Sequence, residues 1–176
     1  MRSGEDAAWT EFQTFYRSLI LFLCRLCGLT AGECKDLVQE VMLACFKEHV
    51  LDNYDRSKCK FRSYLRTVVK RKAEAMKAAR PQGRCELGEE FPDESEIEAL
   101  WEAEWQKAIQ EKALQKLRET IDSRKYMMFE LHALQGRPRG EVAQMTGESE
   151  NQVSLICSRV RKRLEELVAR IKMEFE

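Results

Sequence analysis

The sequence has little of what a β-sheet would need. No run of alternating β-branched and polar residues occurs, and the 176 residues include only three prolines. Strands normally read as such alternating runs, bounded by clusters of turn-forming residues. Apolar residues recur instead at intervals of three and four along most of the chain, which predicts an all-α protein.

Residues that carry enzyme chemistry are also scarce. The two histidines, His49 and His132, are far apart in the sequence, and neither adjoins an obvious nucleophile or ligand partner. Neither the glycine pattern of a P-loop nor that of a dinucleotide-binding turn is present. The acid pair at residues 89–90 falls in a predicted linker, where nothing fixes its geometry. We therefore expect no enzymatic activity, no catalytic residue and no cofactor.

Cysteine occurs in a pattern that excludes two common uses. Seven scattered cysteines, an odd number, argue against a disulfide framework. Cys24 and Cys27 form a CxxC with Cys34 nearby, but no second ligand pair follows at zinc-finger spacing. Because they fall in an apolar helical pattern, we expect a buried structural role and no metal site.

Apolar runs long enough for a signal peptide or a membrane helix are missing as well. The first run, Leu19 to Leu26, is short and contains Arg25, and residues 1–11 carry three acids. These features predict a cytoplasmic protein without a membrane segment of its own. Net charge indicates no partner, because 30 basic residues balance 30 acidic ones.

The charge is nevertheless unevenly distributed. Residues 54–84 hold eleven basic side chains against two acidic ones, and residues 86–111 hold ten acidic side chains against one basic. Tyr54, Phe61 and Tyr64 are interleaved with the basic residues. Cations hold phosphates and aromatic faces stack on unpaired bases, so this segment suits single-stranded nucleic acid. For Phe61 and Tyr64, core packing is an equal alternative. The acidic segment either shields the basic one or, as we favour, is a solubilising spacer.

Helical periodicity and turn residues predict two small helical domains. Helices are expected at residues 6–27, 31–48, 113–120 and 123–134, with another that resumes near Ile97. Prolines and glycines between residues 81 and 92 mark a break. We therefore expect domains at 1–80 and 113–176, joined by an acidic linker over 81–112.

Residues 140–163 are typical of two short helices that meet at a tight turn. Gly147 supplies the left-handed backbone of the turn, and Ser149 fits the N-cap position that follows. The second helix has an apolar stripe of Val153, Ile156, Cys157, Val160, Leu164, Leu167 and Ile171. Its other face carries side chains that hydrogen-bond base edges or pair with phosphates. This pattern predicts a helix-turn-helix whose second helix enters a major groove, although an ordinary helical hairpin remains an alternative.

Three segments, in this order, resemble an extracytoplasmic-function sigma factor, the small two-domain type of bacterial RNA polymerase initiation factor. DLVQEVMLACFK at 36–47 closely matches the conserved-region-2 helix of the family. KFRSYLRTVVKRK at 60–72 is similar to the family's basic-aromatic pattern, and residues 129–167 are similar to its region-4 helix-turn-helix. The resemblance covers nearly the whole chain.

The resemblance implies a function and a role for each segment. Such a protein docks on core RNA polymerase and recognises promoter DNA, as a single strand at the −10 element and as a duplex at the −35 element. The polymerase-docking residues would be Asp36, Gln39 and Glu40, which otherwise read as a solvated polar patch. The −10 residues would be Tyr54, Lys58, Lys60, Phe61, Arg62, Tyr64, Arg66, Lys70 and Arg71. The −35 residues would be Arg137, Asn151, Gln152, Ser154, Leu155, Ser158, Arg159 and Lys162. An anti-sigma protein is often a further partner in this family.

The sequence departs from the family pattern in places. Tyr64 stands where the family has tryptophan, and Arg71 where it usually has asparagine. Residues 154–156 are uncharged where the family often places charge, so the −35 contacts should be fewer. The main alternative is a stand-alone helix-turn-helix regulator that binds duplex DNA as a homodimer, and a protein-interaction module is a third class. The regulator would leave the basic-aromatic segment and the acidic patch unexplained.

Overall fold

A computed structural model describes residues 2–46, 54–55, 57–80 and 92–176. Over these residues it contains seven α-helices and one π-helical turn but no β-strand, which confirms the expected all-α class. Within the same ranges, no helix has the length and apolar character needed to cross a membrane. His49 and the first part of the predicted linker, residues 81–91, lie outside the described residues.

The chain divides into two compact units. Unit 1 comprises residues 1–108 together with Glu176, and unit 2 comprises residues 109–175. Unit 1 contains helices α1 (Arg2–Leu26), α2 (Ala31–Phe46) and α3 (Phe61–Ala78), and the first part of α4 (Glu94–Thr120). Its core joins Leu19, Ile20 and Leu23 of α1 to apolar side chains of the next two helices, among them Leu37, Val38, Val41, Leu65 and Val69.

Helix α2 begins with a capping box. The backbone N–H and the hydroxyl of Thr30 both donate to Glu33 Oε2, at 2.7 and 2.8 Å. Gly28, with φ of 73°, makes the turn that precedes it. Arg80 donates to both carboxylate oxygens of Glu33, at 2.9 and 2.6 Å, and so ties the end of α3 to the start of α2. One acid therefore both starts a helix and joins two segments distant in sequence.

Helix α4 spans the second part of the predicted linker over 81–112 and continues beyond it. It is continuous from Glu94 to Thr120, so the helices expected near Ile97 and at 113–120 are one. The physical reason is a second capping box, in which Asp93 Oδ1 accepts from the backbone N–H of Glu96 at 2.9 Å. The backbone N–H of Asp93 in turn donates to Glu96 Oε2 at 3.1 Å. Glutamate, alanine, lysine and glutamine, all strong helix formers, dominate the residues that follow.

Unit 2 contains the rest of α4, α5 (Ser123–Phe129), a π-helical turn (Glu130–Leu134), α6 (Arg139–Thr146) and α7 (Glu150–Phe175). The single helix predicted at 123–134 is thus divided. The Gln135 N–H donates to the Glu130 carbonyl at 2.9 Å, a five-residue spacing that widens the last turn. Gly136, with φ of 74°, then redirects the chain toward α6.

The core of unit 2 is arranged around α7. Its buried residues are Val153, Cys157, Val160, Leu167, Ile171 and Phe175, which face Met128, Phe129 and Val142 of the preceding helices. Ile156 and Leu164, which the sequence placed on the same stripe, are half-buried. The stripe continues to Phe175, so the second helix is longer than the segment that predicted it.

Candidate nucleic-acid interface

The predicted polar patch on α2 lies on the exposed side of the helix. Asp36, Gln39 and Glu40 are all exposed, while Leu37 and Val41 on the opposite side are buried. The carboxylate of Glu40 accepts a hydrogen bond from Lys72 of α3. That contact fixes one member of the patch and leaves its side chain 56% exposed.

The aromatic residues of the basic-aromatic segment form one cluster. The Tyr54 ring lies 5.3 Å from the Phe61 ring and 5.5 Å from the Tyr64 ring, centroid to centroid. Phe61 also meets Tyr16 of α1 edge-on at 5.4 Å and is only 8% exposed. The stacking role predicted for Phe61 is therefore corrected. It packs in the core because it lies four residues before the buried Leu65, and the half-buried Tyr54 and Tyr64 are left as candidate platforms.

The six cations of this segment that were expected to contact the −10 element fall into two groups. Lys58, Lys60 and Arg71 are exposed, as a phosphate contact requires. The other three, Arg62, Arg66 and Lys70, have side chains only 12%, 15% and 18% exposed. Acidic side chains of α4 cover this second group: Glu102 pairs with Arg62, Glu98 with Arg66 at 2.9 Å, and Glu94 with Lys70. Direct access of DNA to these three cations, expected from the sequence, is thus blocked in this structure.

An apolar stripe on α4 accompanies these pairs. Ile97, Trp101 and Trp105 lie four residues apart and are buried. The guanidinium of Arg62 stacks on the indole of Trp105, 4.0 Å from the ring centroid. Burial on its own would raise the pKa of Glu102, but hydrogen bonds from Arg62 and Gln106 outweigh it and the pKa is lowered. In the described residues, the acidic segment therefore covers part of the basic segment. This is the first of the two alternatives given above, and not the solubilising spacer that we favoured.

The turn between α6 and α7 has the geometry expected from the sequence. Gly147 adopts φ of 72°, and its N–H donates to the Ala143 carbonyl at 2.9 Å. Ser149 Oγ accepts from the Gln152 N–H at 3.2 Å and so caps α7. Two helices thus meet at a tight turn within unit 2, as both the helix-turn-helix and the ordinary helical hairpin require.

The predicted reading face of α7 is accessible. Exposed side chains comprise Asn151, Gln152, Leu155, Ser158, Arg159 and Lys162, and Ser154 is half-buried. Arg137, just before α6, is half-exposed and pairs with Glu141 at 2.6 Å. The sequence interpretation missed Arg139, whose guanidinium approaches Ser154 Oγ at 3.4 Å beside this face. Its position at the start of α6, close to Arg137, was the available signal.

The cysteines and His132 have structural surroundings. Cys24 and Cys34 are buried, and burial raises the pKa of Cys24 to about 12, so its thiol is a poor nucleophile or ligand. Cys157 directs its thiol to the Met128 carbonyl at 3.7 Å, and His132 Nδ1 lies 2.8 Å from the Arg137 carbonyl. Among the described residues, no group of three or more histidine, cysteine or acidic side chains could hold a metal ion.

The fold defines a class of architecture: an all-helical chain whose second unit presents a polar and basic helix face after a tight turn. No protein-family model matches the chain, and no curated protein matches it either.

Proposed function

We propose that the protein is a sigma factor of bacterial RNA polymerase, of the extracytoplasmic-function type. It docks on core polymerase, recognises the −10 and −35 promoter elements and promotes strand opening. The observation that carries the proposal is the combination of two DNA-binding chemistries in one chain. Unit 2 offers a helix face suited to a duplex groove, and unit 1 offers tyrosines and cations suited to an unpaired strand.

The α7 face has the composition of a major-groove reader. Amide side chains such as Asn151 and Gln152 match the donor and acceptor edge of adenine, and both lie in the first turn of the helix. Arg159 and Lys162, two and three turns further along, can pair with backbone phosphates. Known helix-turn-helix proteins read bases from the start of the helix and hold phosphates nearby, so this distribution of side chains supports the proposal.

The unit 1 surface supports binding of the −10 element as a single strand. Stacking of a base on an aromatic ring contributes about 1–3 kcal/mol, and Tyr54 and Tyr64 lie together at the edge of the core. Lys58, Lys60 and Arg71 add exposed positive charge to the same segment. A protein that binds unpaired bases and not paired ones shifts the equilibrium toward the open duplex, which is the thermodynamic requirement for strand opening.

The α2 patch supports docking on the polymerase. Next to Asp36, Gln39 and Glu40, the same helix exposes Leu43 at 53% and Phe46 at 63%. Large exposed apolar side chains beside charged ones are typical of a protein interface. The docking surface we propose is therefore acidic at its start and apolar at its end.

Transcription with purified bacterial core polymerase and a pool of genomic promoter fragments tests the proposal. The full chain should direct transcripts from defined start sites, and core polymerase alone should not. Failure to initiate on any fragment would overturn it. A gel-shift assay separates the alternative, because a homodimeric regulator shifts duplex DNA without polymerase, whereas a sigma factor binds DNA weakly until core polymerase is added.

A further inference from the structure

Helices α3 and α4 are joined by a ladder of three ion pairs. The pairs are Lys70 with Glu94, Arg66 with Glu98, and Arg62 with Glu102. Successive members are four residues apart on each helix, and the order on α4 is the reverse of that on α3. One pair therefore forms at about every turn, and the two helices run antiparallel over this stretch.

The two sides of the ladder differ in exposure. The cationic side chains are 12–18% exposed, whereas those of Glu94, Glu98 and Glu102 are 63%, 63% and 44% exposed. The carboxylates thus lie on the outside, between the cations and solvent. Carboxylate and phosphate oxygens accept the same charge-assisted hydrogen bonds from arginine and lysine. A DNA strand that approached these cations would meet α4 first.

Apolar burial keeps α4 in this position. Ile97, Trp101 and Trp105 repeat at the same four-residue interval as the acids and are buried. Arg62 lies between the two stripes, paired with Glu102 and stacked on Trp105. The ion pairs themselves are largely solvated, and such pairs are individually weak. The ladder is therefore suited to a reversible block, since a polyanion can compete with it.

We propose that residues 94–102 of α4 are an autoinhibitory segment that covers the cationic face of α3 and must be displaced before a single strand reaches it. The identity of the ligand rests on the proposed function. The competition itself is between two sets of anions, carboxylates and phosphates, for Arg62, Arg66 and Lys70. In the free chain, unit 1 should bind single-stranded DNA more weakly than its charge predicts.

The test compares two full-length variants of equal charge. The ladder variant carries Glu94→Gln, Glu98→Gln and Glu102→Gln, and keeps Trp101 and Trp105 of α4. The control variant carries Glu104→Gln, Glu111→Gln and Glu119→Gln, which lie on the same helix but outside the ladder. Affinity for a labelled single strand of about 12 nucleotides is measured by fluorescence anisotropy without polymerase. The ladder variant should bind about tenfold tighter than wild type, because three exposed ion pairs amount to roughly that factor.

Salt dependence adds a readout that partial unfolding would not mimic. When the wild-type protein binds the oligonucleotide, the three ion pairs must first break. The freed carboxylates then take up cations from solution, and this uptake offsets part of the cation release from the DNA. The plot of log affinity against log salt should therefore be shallower for wild type than for the ladder variant. The control variant should match wild type in slope and should bind within about twofold of it.

Hydrogen exchange then locates the change. In wild type, the amides of residues 94–102 should exchange faster when the oligonucleotide is bound, because the segment has left α3. Equal affinities of the two variants, weaker binding by the ladder variant, absence of binding by all three proteins, or unchanged exchange in the bound state would each overturn the inference.

Transcription by the same three proteins separates this inference from the proposed function. If wild type initiates with core polymerase but the two variants bind single strands equally, the sigma-factor proposal survives and the autoinhibitory role fails. If the ladder variant binds tighter than the control and no protein initiates, the autoinhibitory contact stands and the sigma-factor proposal fails.

Discussion

The guanidinium of Arg62 lies over the indole ring of Trp105, with its central carbon 4.0 Å from the ring centroid. Trp105 is fully buried, and the same guanidinium pairs with Glu102 one turn earlier on α4. A cation–π contact contributes about 0.5–2 kcal/mol, the larger values where both partners are desolvated. A cation that the sequence suggested for DNA binding is therefore also a structural link between α3 and α4.

The first prediction concerns Trp105 itself. Trp105→Ala should lower the free energy of unfolding by about 3–5 kcal/mol, because it leaves a cavity and removes the surface on which Arg62 stacks. Urea denaturation followed by circular dichroism measures the loss. Leu100→Ala on the same helix, at a side chain 41% exposed, is the control and should cost less than about 1 kcal/mol. Equal losses for the two variants would mean that Trp105 does not hold α4 in place.

The second prediction is a pH dependence at Glu33. Hydrogen bonds from Arg80, together with the backbone N–H of Thr30, lower the pKa of Glu33 to about 2. Since the unfolded value is about 4.3, the contribution of Glu33 is fully present above that pH and declines as the pH falls toward 2. Glu33→Gln should cost about 1 kcal/mol at pH 7 through the lost ion pair with Arg80, because the glutamine oxygen can still accept from Thr30.

Measurements of unfolding free energy at pH 7, 5, 4 and 3 test this assignment. The difference between wild type and Glu33→Gln should be constant from pH 7 to 5 and should shrink between pH 4 and pH 3. Asp36→Asn, an exposed acid on the same helix, serves as the control and should change the stability little. A difference that stays the same at every pH would show that ionisation of Glu33 does not stabilise the fold.

The features that the sequence predicted correctly depend on neighbours along the chain. The left-handed backbone at Gly147 and the Ser149 cap are properties of four or five consecutive residues, so the turn before α7 could be placed without tertiary information. The apolar spacing that predicted α1 and α2 is local in the same sense. For these segments, local preference and tertiary packing favour the same conformation.

The pairing of α3 with α4 depends on residues far apart in the sequence. Matching four-residue intervals at 62, 66 and 70 and at 94, 98 and 102 are present in the sequence, but many charged helices share such intervals. Which faces meet is decided by burial of Trp101 and Trp105, and this burial appears only in the folded structure. The core position of Phe61 was ambiguous for the same reason, since an aromatic residue in a basic segment can pack or stack.

The third prediction concerns polymerase docking. Asp36→Lys combined with Glu40→Lys should weaken binding to core polymerase at least about tenfold, because it reverses the charge of the exposed α2 patch. The Glu40 change also breaks the contact with Lys72, so Lys72→Gln is the matched control: it breaks that contact and keeps both acids. Biolayer interferometry with immobilised core polymerase gives the affinities, and circular dichroism checks folding. Unchanged affinity in a folded double variant would remove the α2 patch from the docking surface.

The last prediction distinguishes direct phosphate contacts of α7 from non-specific electrostatic attraction between this helix and DNA. Arg159→Ala with Lys162→Ala should weaken holoenzyme binding to promoter duplexes of every sequence and reduce the salt slope by about two units, close to 0.9 for each lost phosphate contact. Filter binding over a series of salt concentrations measures both effects. Arg170→Ala with Lys172→Ala removes the same charge near the end of the helix and should leave the slope within about half a unit of wild type. If both double variants lower the slope equally, the charge of α7 acts as a whole, and Arg159 and Lys162 make no specific phosphate contacts.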